Sequence, residues 1–319
     1  MEQFKFGILS TASIVPRFIA ALRESGTGEV TAIASRSLKK AKEKAKEWNI
    51  PKSYGSYEAL LEDPDVNVVY VAMINSEHYK YALKSLEAGK HVICEKPFTL
   101  KKEDAEHLFQ VAKEKQLFLA EAQKSVFLPV MQDLKKLIAE GTLGAIQFVD
   151  FTSSCSAVYN EWLHKVEAGG GAMAGSASYS IHLAKYLFDK PITSYSGLCT
   201  RGDSEVDEQC VISLALDNRI MFVSKISTNV KAIDRALIFG ELGYVEIPEY
   251  WKARKAVVHL NTGEEIVLEH PCQYELIYEI RHFCDCMKKG LLQSPVMNED
   301  MTVDTLEILD GIRKSWDTP

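Results

Sequence analysis

His91-Val92-Ile93-Cys94-Glu95-Lys96-Pro97-Phe98 decides the fold of this chain. Its apolar run, Val92 to Cys94, is β-type and stops at an acid, a lysine and a proline. Proline has no N–H and disfavours helix at the residue before it, so the strand is predicted to end at Lys96. That displays a cation at the carboxyl end of a buried strand, the edge of an open parallel sheet where ligands bind. Alone, the same residues also describe a strand end with a solvated lysine. The sequence on either side decides between the two.

Upstream, Lys5-Phe6-Gly7-Ile8-Leu9 is a short apolar run, then Ser10-Thr11-Ala12-Ser13 and an amphipathic stretch through Arg23. Strand, small-residue turn and helix open a dinucleotide-binding unit. The glycine fingerprint positions are Ser10, Ala12 and Val15, with Gly7 inside the strand. Small residues still let the backbone approach a pyrophosphate, Ser10 or Thr11 adds a hydroxyl donor, and helix N–H groups remain for the anion. An ordinary strand–helix turn uses the same residues. The second strand, Val30 to Ala34, ends at Ser35-Arg36-Ser37, where an NAD-binding unit usually carries Asp or Glu. An arginine pairs with a 2′-phosphate, so NADP is predicted, with NAD as the alternative; Ser37 also serves to cap a helix Leu38 to Trp48.

The pattern repeats. Tyr57 to Leu61 reads as a short helix and Val66 to Met73 as a strand covered on both faces. Asn75-Ser76 is placed to cap a helix from Glu77 to Ala88, stopped by Gly89. After Thr99, Ala105, Leu108, Phe109 and Ala112 form one buried helical stripe, and Leu117 to Ala120 is a sixth strand. The expectation is a doubly wound parallel sheet over residues 1–122.

Past Ala122 the character changes. A helix runs from Phe127-Leu128-Pro129 to Glu140, closed by Gly141 and Gly144. Strands follow at Ile146–Ser153, Ile192–Thr200, Gln209–Leu216, Ile220–Ser227, Arg235–Phe239, Tyr244–Ile247, Ala256–Leu260 and Glu265–Leu268, with helices near Tyr274–Lys289 and Asn298–Trp316. Hairpin spacing predicts a large, mostly antiparallel open sheet in a second α+β domain, 123–319. Alternating apolar residues such as Val211, Leu214, Leu216, Met221 and Val223 suggest a face that a second copy covers, giving a homodimer or a dimer of dimers.

At 319 residues the chain accommodates two domains, and its net charge of −7 argues against nucleic acid as a partner. The opening residues lack an apolar h-region, and no apolar run reaches the roughly 18–20 residues that span a bilayer. The seven cysteines, Cys94, Cys155, Cys199, Cys210, Cys272, Cys284 and Cys286, show no metal-ligand spacing. A cytoplasmic location and no metal are the expectation.

Val69-Tyr70-Val71-Ala72, Asn75-Ser76-Glu77-His78-Tyr79, Ala88-Gly89-Lys90-His91-Val92 and Glu95-Lys96-Pro97 together resemble the Gfo/Idh/MocA oxidoreductase family, over nearly the whole chain. The resemblance implies a Rossmann domain followed by an α/β domain that binds substrate and oligomerises. It implies nicotinamide-cofactor contacts from Gly7, Ser10, Thr11, Ala12, Ser13, Ile14, Ser35, Arg36, Ser37, Ala72, Met73, Asn75, His78, Glu95, Lys96 and Pro97, with the Lys96–Pro97 peptide cis. The family's frequent Thr-Pro is here Met73-Ile74.

In the second domain, Gly169-Gly170-Gly171 precedes small residues and then Tyr179 and His182, three apart on one predicted helix face. A packed aromatic and a core histidine would look the same. The resemblance assigns Tyr179 to the family's His/Tyr position, as in the dihydrodiol dehydrogenase and glucose–fructose oxidoreductase branches, while Gly175 stands where the family has Asp. Hydride transfer at a secondary alcohol or carbonyl needs a proton donor or acceptor at the oxygen. Lys96 and Tyr179 are expected to meet across the cleft and share that work, with Trp162, His164 and His182 lining the substrate pocket. The substrate is expected to be a sugar, polyol or related small molecule. Gly175 and the altered fingerprint also suit a catalytically silent nucleotide-binding sensor on the same fold.

Overall fold

Short, wholly buried strands such as Val68–Val71 need cover on both faces, and the fold supplies it. The structure, a computed structural model, describes residues 4–154 and 161–316. Cys155 lies outside them. By its contacts the chain divides into two compact units, residues 1–123 with 274–303, and residues 124–273 with 304–319.

The first unit holds β1 (Phe4–Leu9), β2 (Gly28–Ala34), β3 (Lys52–Tyr54), β4 (Val68–Val71), β5 (His91–Glu95) and β6 (Leu119–Ala122). They form one parallel sheet in the order β3-β2-β1-β4-β5-β6. The order reverses between β1 and β4, and the carboxyl ends of those two strands form the crevice where such sheets bind ligands. The helices are α1 (Val15–Ser25), α2 (Leu38–Glu47), α3 (Tyr57–Leu61), α4 (His78–Glu87) and α5 (Lys102–Glu114). Ala105, Leu108, Phe109 and Ala112 of α5 are all buried, as their spacing predicts. α1 packs against α8 (Leu276–Lys288), and Arg17 of α1 pairs with the buried Glu275 just before α8.

Three local readings shift. β3 is a three-residue strand that no apolar run announces. Asn75–Glu77 forms a 3-10 turn before α4, which starts at His78, and Glu77 at its cap position makes no side-chain cap bond. The sixth strand starts two residues late, at Leu119.

The second unit holds α6 (Pro129–Ala139), β7 (Ile146–Ser154), α7 (Ala172–Phe188), β8 (Ile192–Arg201), β9 (Asp207–Leu216), β10 (Ile220–Ser227), β11 (Arg235–Gly240), β12 (Gly243–Pro248), β13 (Lys255–Leu260) and β14 (Glu265–Glu269). The last helix is α9 (Glu299–Trp316). The eight strands form one sheet, β14-β13-β12-β11-β7-β10-β9-β8, antiparallel except where β7 meets β10. Helix α7 packs on β9 and β10.

The five apolar residues predicted to share one face of this sheet do not. Leu214 and Leu216 are buried toward α7, whereas Val211 and Met221 are exposed and Val223 is half-buried. Side chains alternate along a strand, so the odd and even positions of β9 belong to opposite faces. The open face carries a row of directly opposed residues, Met221, Phe148, Phe239, Tyr244 and His259, one from each of five neighbouring strands.

Candidate active site

At the crevice of the parallel sheet, Ser10 follows β1 with φ 104°, a conformation that normally selects glycine. Three bonds hold it there. Its N–H donates to the Ala34 carbonyl at 3.1 Å, its hydroxyl donates to the Ala72 carbonyl, and the Ala12 N–H donates to that hydroxyl at 3.2 Å. Ser10 therefore ties the ends of β1, β2 and β4 together. Ile14 precedes α1 without a side-chain cap, and the first turn of α1 carries no acid. Pro16 has no N–H, and the Val15 and Arg17 N–H groups donate to the Ala12 and Ile14 carbonyls, so it is the turn through the small residues Ala12 and Ser13 that fits a pyrophosphate. Gly7 lies inside β1, where an added Cβ would approach Leu60 and Val66 at 2.6 and 2.8 Å.

At the end of β2, Ser35 is buried and Arg36 is exposed. The Ser37 hydroxyl accepts from the Lys40 N–H at 3.4 Å, capping α2, whose first turn has no acid. Arg36, Lys39 and Lys40 thus leave this corner cationic, which fits a ribose phosphate better than a bare diol.

β5 ends at Glu95, and the Lys96–Pro97 peptide is cis. Tyr70 donates to Glu95 Oε1 at 2.5 Å, and the Lys96 N–H donates to Oε2 at 3.3 Å. The buried ring of His78 bridges two segments, with Nδ1 2.8 Å from the Pro97 carbonyl oxygen and Nε2 3.0 Å from that of Met73. Burial lowers the His78 pKa, against the two carbonyls, which raise it. Glu121 of β6 is wholly buried, and burial pushes its carboxyl up to about 7 despite hydrogen bonds from Thr302 and the Phe98 backbone. Ser10, Ala72, Met73, His78 and Pro97 are thereby brought together; Asn75 is buried beside them in the chain, and Thr11 lies in the β1–α1 turn.

In the second unit, Tyr179 and His182 lie on α7, 8% and 1% exposed. Trp162 and His164 lie on the 3-10 turn Glu161–His164. The glycine triplet is laced to that turn: the Gly171 N–H donates to the Leu163 carbonyl at 2.8 Å, and a Cβ on Gly170 would meet that oxygen at 2.3 Å. Gly171 has φ 118°, and a Cβ there would strike the Asp207 carboxylate at 2.2 Å. Asp207 in turn accepts from the Met173 N–H at 2.7 Å, capping α7; burial raises its pKa and this bond opposes the rise. His164 Nδ1 lies 3.5 Å from Glu208 Oε1.

One functional candidate escaped the sequence reading. Lys124, on the 3-10 turn Lys124–Phe127 after β6, is 6% exposed and donates to the Tyr179 hydroxyl at 3.0 Å. The available signal was a polar run, Gln123-Lys124-Ser125, between two apolar stretches.

Residues 4–123 match a family described as an oxidoreductase family with an NAD-binding Rossmann fold, and residues 131–246 match the GFO/IDH/MocA C-terminal domain. The chain belongs to the Gfo/Idh/MocA oxidoreductase family. Among relatives in the family, trans-1,2-dihydrobenzene-1,2-diol dehydrogenase of Xenopus laevis is 30% identical over 311 residues, covering 92% of each chain. A 3-ketoreductase from Actinomadura kijaniata, crystallised with NADP, shares the fold at TM-score 0.90 and 23% identity, covering 98% of both chains. Levoglucosan dehydrogenase, in complex with NADH and levoglucosan, does so at TM-score 0.88 and 19% identity, covering 98% of this chain and 97% of that one. Membership makes this chain a nicotinamide-dependent oxidoreductase acting on CH–OH groups. Among the described residues no helix is long and apolar enough to cross a membrane.

Proposed function

We propose that this protein is an NADP-dependent dehydrogenase or reductase acting on a hydroxyl or carbonyl of a sugar, polyol or related small diol. The observation that carries the reading is the ligand edge of the parallel sheet. There the small-residue turn before α1 suits a pyrophosphate, Arg36 with the acid-free first turn of α2 suits a 2′-phosphate, and Lys96 directly follows β5. The nicotinamide, when bound, supplies the hydride acceptor or donor. Lys96 donates a hydrogen bond to the substrate oxygen and stabilises charge on it. Tyr179 takes up or returns the proton at that oxygen. Trp162, His164 and His182 shape the substrate's surroundings. The names of the relatives, a dihydrodiol and an anhydrosugar dehydrogenase, support this substrate class. We place the protein in the cytoplasm, assign residues 1–122 to the cofactor and 123–319 to substrate and assembly, and assign the open sheet face to a second copy.

Gly175, where the family carries a carboxylate, favours a second reading, a silent nucleotide sensor. Turnover of aldoses, polyols and cyclic trans-diols with NADP and NADPH separates the two. Activity that Lys96→Ala and Tyr179→Phe abolish, with cofactor binding retained, supports the enzyme. No turnover across the panel, with tight cofactor binding, supports the sensor.

A further inference from the structure

Lys124 and Tyr179 are 55 positions apart and both buried, and the contact between them is close in two ways. The ammonium donates to the phenol oxygen at 3.0 Å and lies 5.1 Å from the centroid of the same ring. Burying a lysine ammonium is costly unless its partners replace the lost water, so such a placement is held by specific chemistry rather than by chance. We propose that Lys124 tunes Tyr179 for proton transfer, so that the working group of the second unit is the Lys124–Tyr179 pair. This rests on the proton-transfer role given to Tyr179 above.

A phenol ordinarily ionises near 10, too high for a base at neutral pH. A cation at hydrogen-bond distance stabilises the phenolate and brings the group toward the working range. Because the ammonium is the donor, the bond to Lys124 does not use the phenol's own O–H. In oxidation the substrate O–H bond breaks and its proton passes to the Tyr179 oxygen. The C–H electron pair leaves as the hydride, and the carbonyl forms. Reduction runs the same steps backward. Lys124 keeps its protons throughout, so it is a positioning residue.

Apart from His182, which shares a helix face with Tyr179, the other charged groups of the packed elements have partners of their own. Asp133 of α6 meets His270, Lys136 of α6 meets Glu140, and Glu208 of β9 accepts from Ser204 and Asn229. Lys135 of α6 lies over the Tyr186 ring, and Asp207 of β9 caps the start of α7. Lys225 of β10 pairs with Asp150, Lys185 of α7 pairs with Asp304, and His182 of α7 lies one turn beyond Tyr179.

The test is the pH dependence of kcat in both directions for the wild type, Lys124→Met, Lys124→Arg and Tyr179→Phe. Removing the ammonium should move the ascending limb of oxidation and the descending limb of reduction to higher pH by about one unit or more, with KM nearly unchanged. Lys124→Arg should return the limbs most of the way. A Lys124→Met enzyme with unmoved limbs overturns the inference, whatever its rate. If Tyr179→Phe stays active, the underlying proton-transfer reading fails as well, whereas loss of activity in Tyr179→Phe with unmoved limbs in Lys124→Met sinks the Lys124 role alone. Should Lys124→Met not fold, the difference absorbance of phenolate between wild type and Tyr179→Phe decides. A tyrosine titrating well below the ordinary value supports the pair, and its absence overturns it.

Discussion

Thr302 donates a hydrogen bond of 2.9 Å to Glu121 Oε2, joining residues 181 positions apart inside the first unit. The carboxyl it meets is buried, and burial has raised its pKa from 4.5 to about 7. Between those two values the unfolded chain has lost this proton while the folded chain still holds it. Stability from this group is therefore full below pH 4.5, falls as pH rises to about 7, and stays low above that. Glu121→Gln keeps an acceptor for Thr302 and removes the titration. It should flatten this part of the stability profile and stabilise the protein above pH 7 by at most about 3 kcal/mol. Chemical denaturation at several pH values measures both, and a variant with the wild-type slope would refute the assignment.

Ser10 combines a glycine-type φ with a hydroxyl bond to Ala72. Ser10→Ala keeps the backbone strain and loses the bond, so it should destabilise by about 1–2 kcal/mol. Ser10→Gly loses the bond but relieves the strain, and should fall within about 1 kcal/mol of wild type. Denaturation midpoints in the reverse order would show that the backbone conformation at Ser10 holds no strain for glycine to relieve.

Arg36→Asp should weaken NADP binding and narrow or invert the preference over NAD, since a carboxylate repels the 2′-phosphate and accepts from a ribose hydroxyl. Paired fluorescence titrations with NADPH and NADH measure it. Tighter NADH binding by the wild type would refute the reading of this corner.

The open face of the eight-stranded sheet exposes Leu198, Val211 and Met221, beside the Phe148–Phe239–Tyr244 row. We expect the wild type to be a dimer or a dimer of dimers and Met221→Glu to dissociate. Light scattering should show the mass falling, and a wild type that stays monomeric at every concentration would contradict this.

The apolar periodicity made most of the fold legible. All eight strands of the second sheet and the α5 stripe follow from it. Lys52–Tyr54 was missed because an edge strand alternating lysine, serine and tyrosine has no apolar run. The two faces of β9 were conflated because a list of apolar residues ignores parity. On the site, Lys96 announced itself through a strand end and a proline, a local signal. Lys124 had only the short polar run Gln123-Lys124-Ser125, because its partner lies in a helix 55 positions away and a lysine after a strand ordinarily points to water.

His78 holds one further consequence. Carbonyl oxygens offer only lone pairs, and each nitrogen of this ring faces one. Burial favours the neutral imidazole, and that form owns a single hydrogen for two takers. With that hydrogen on Nδ1 the ring fastens the Pro97 turn beside Lys96, and with it on Nε2 it fastens the segment after β4. The ring is a latch with one bolt and two keepers, and moving the bolt exchanges which segment is held.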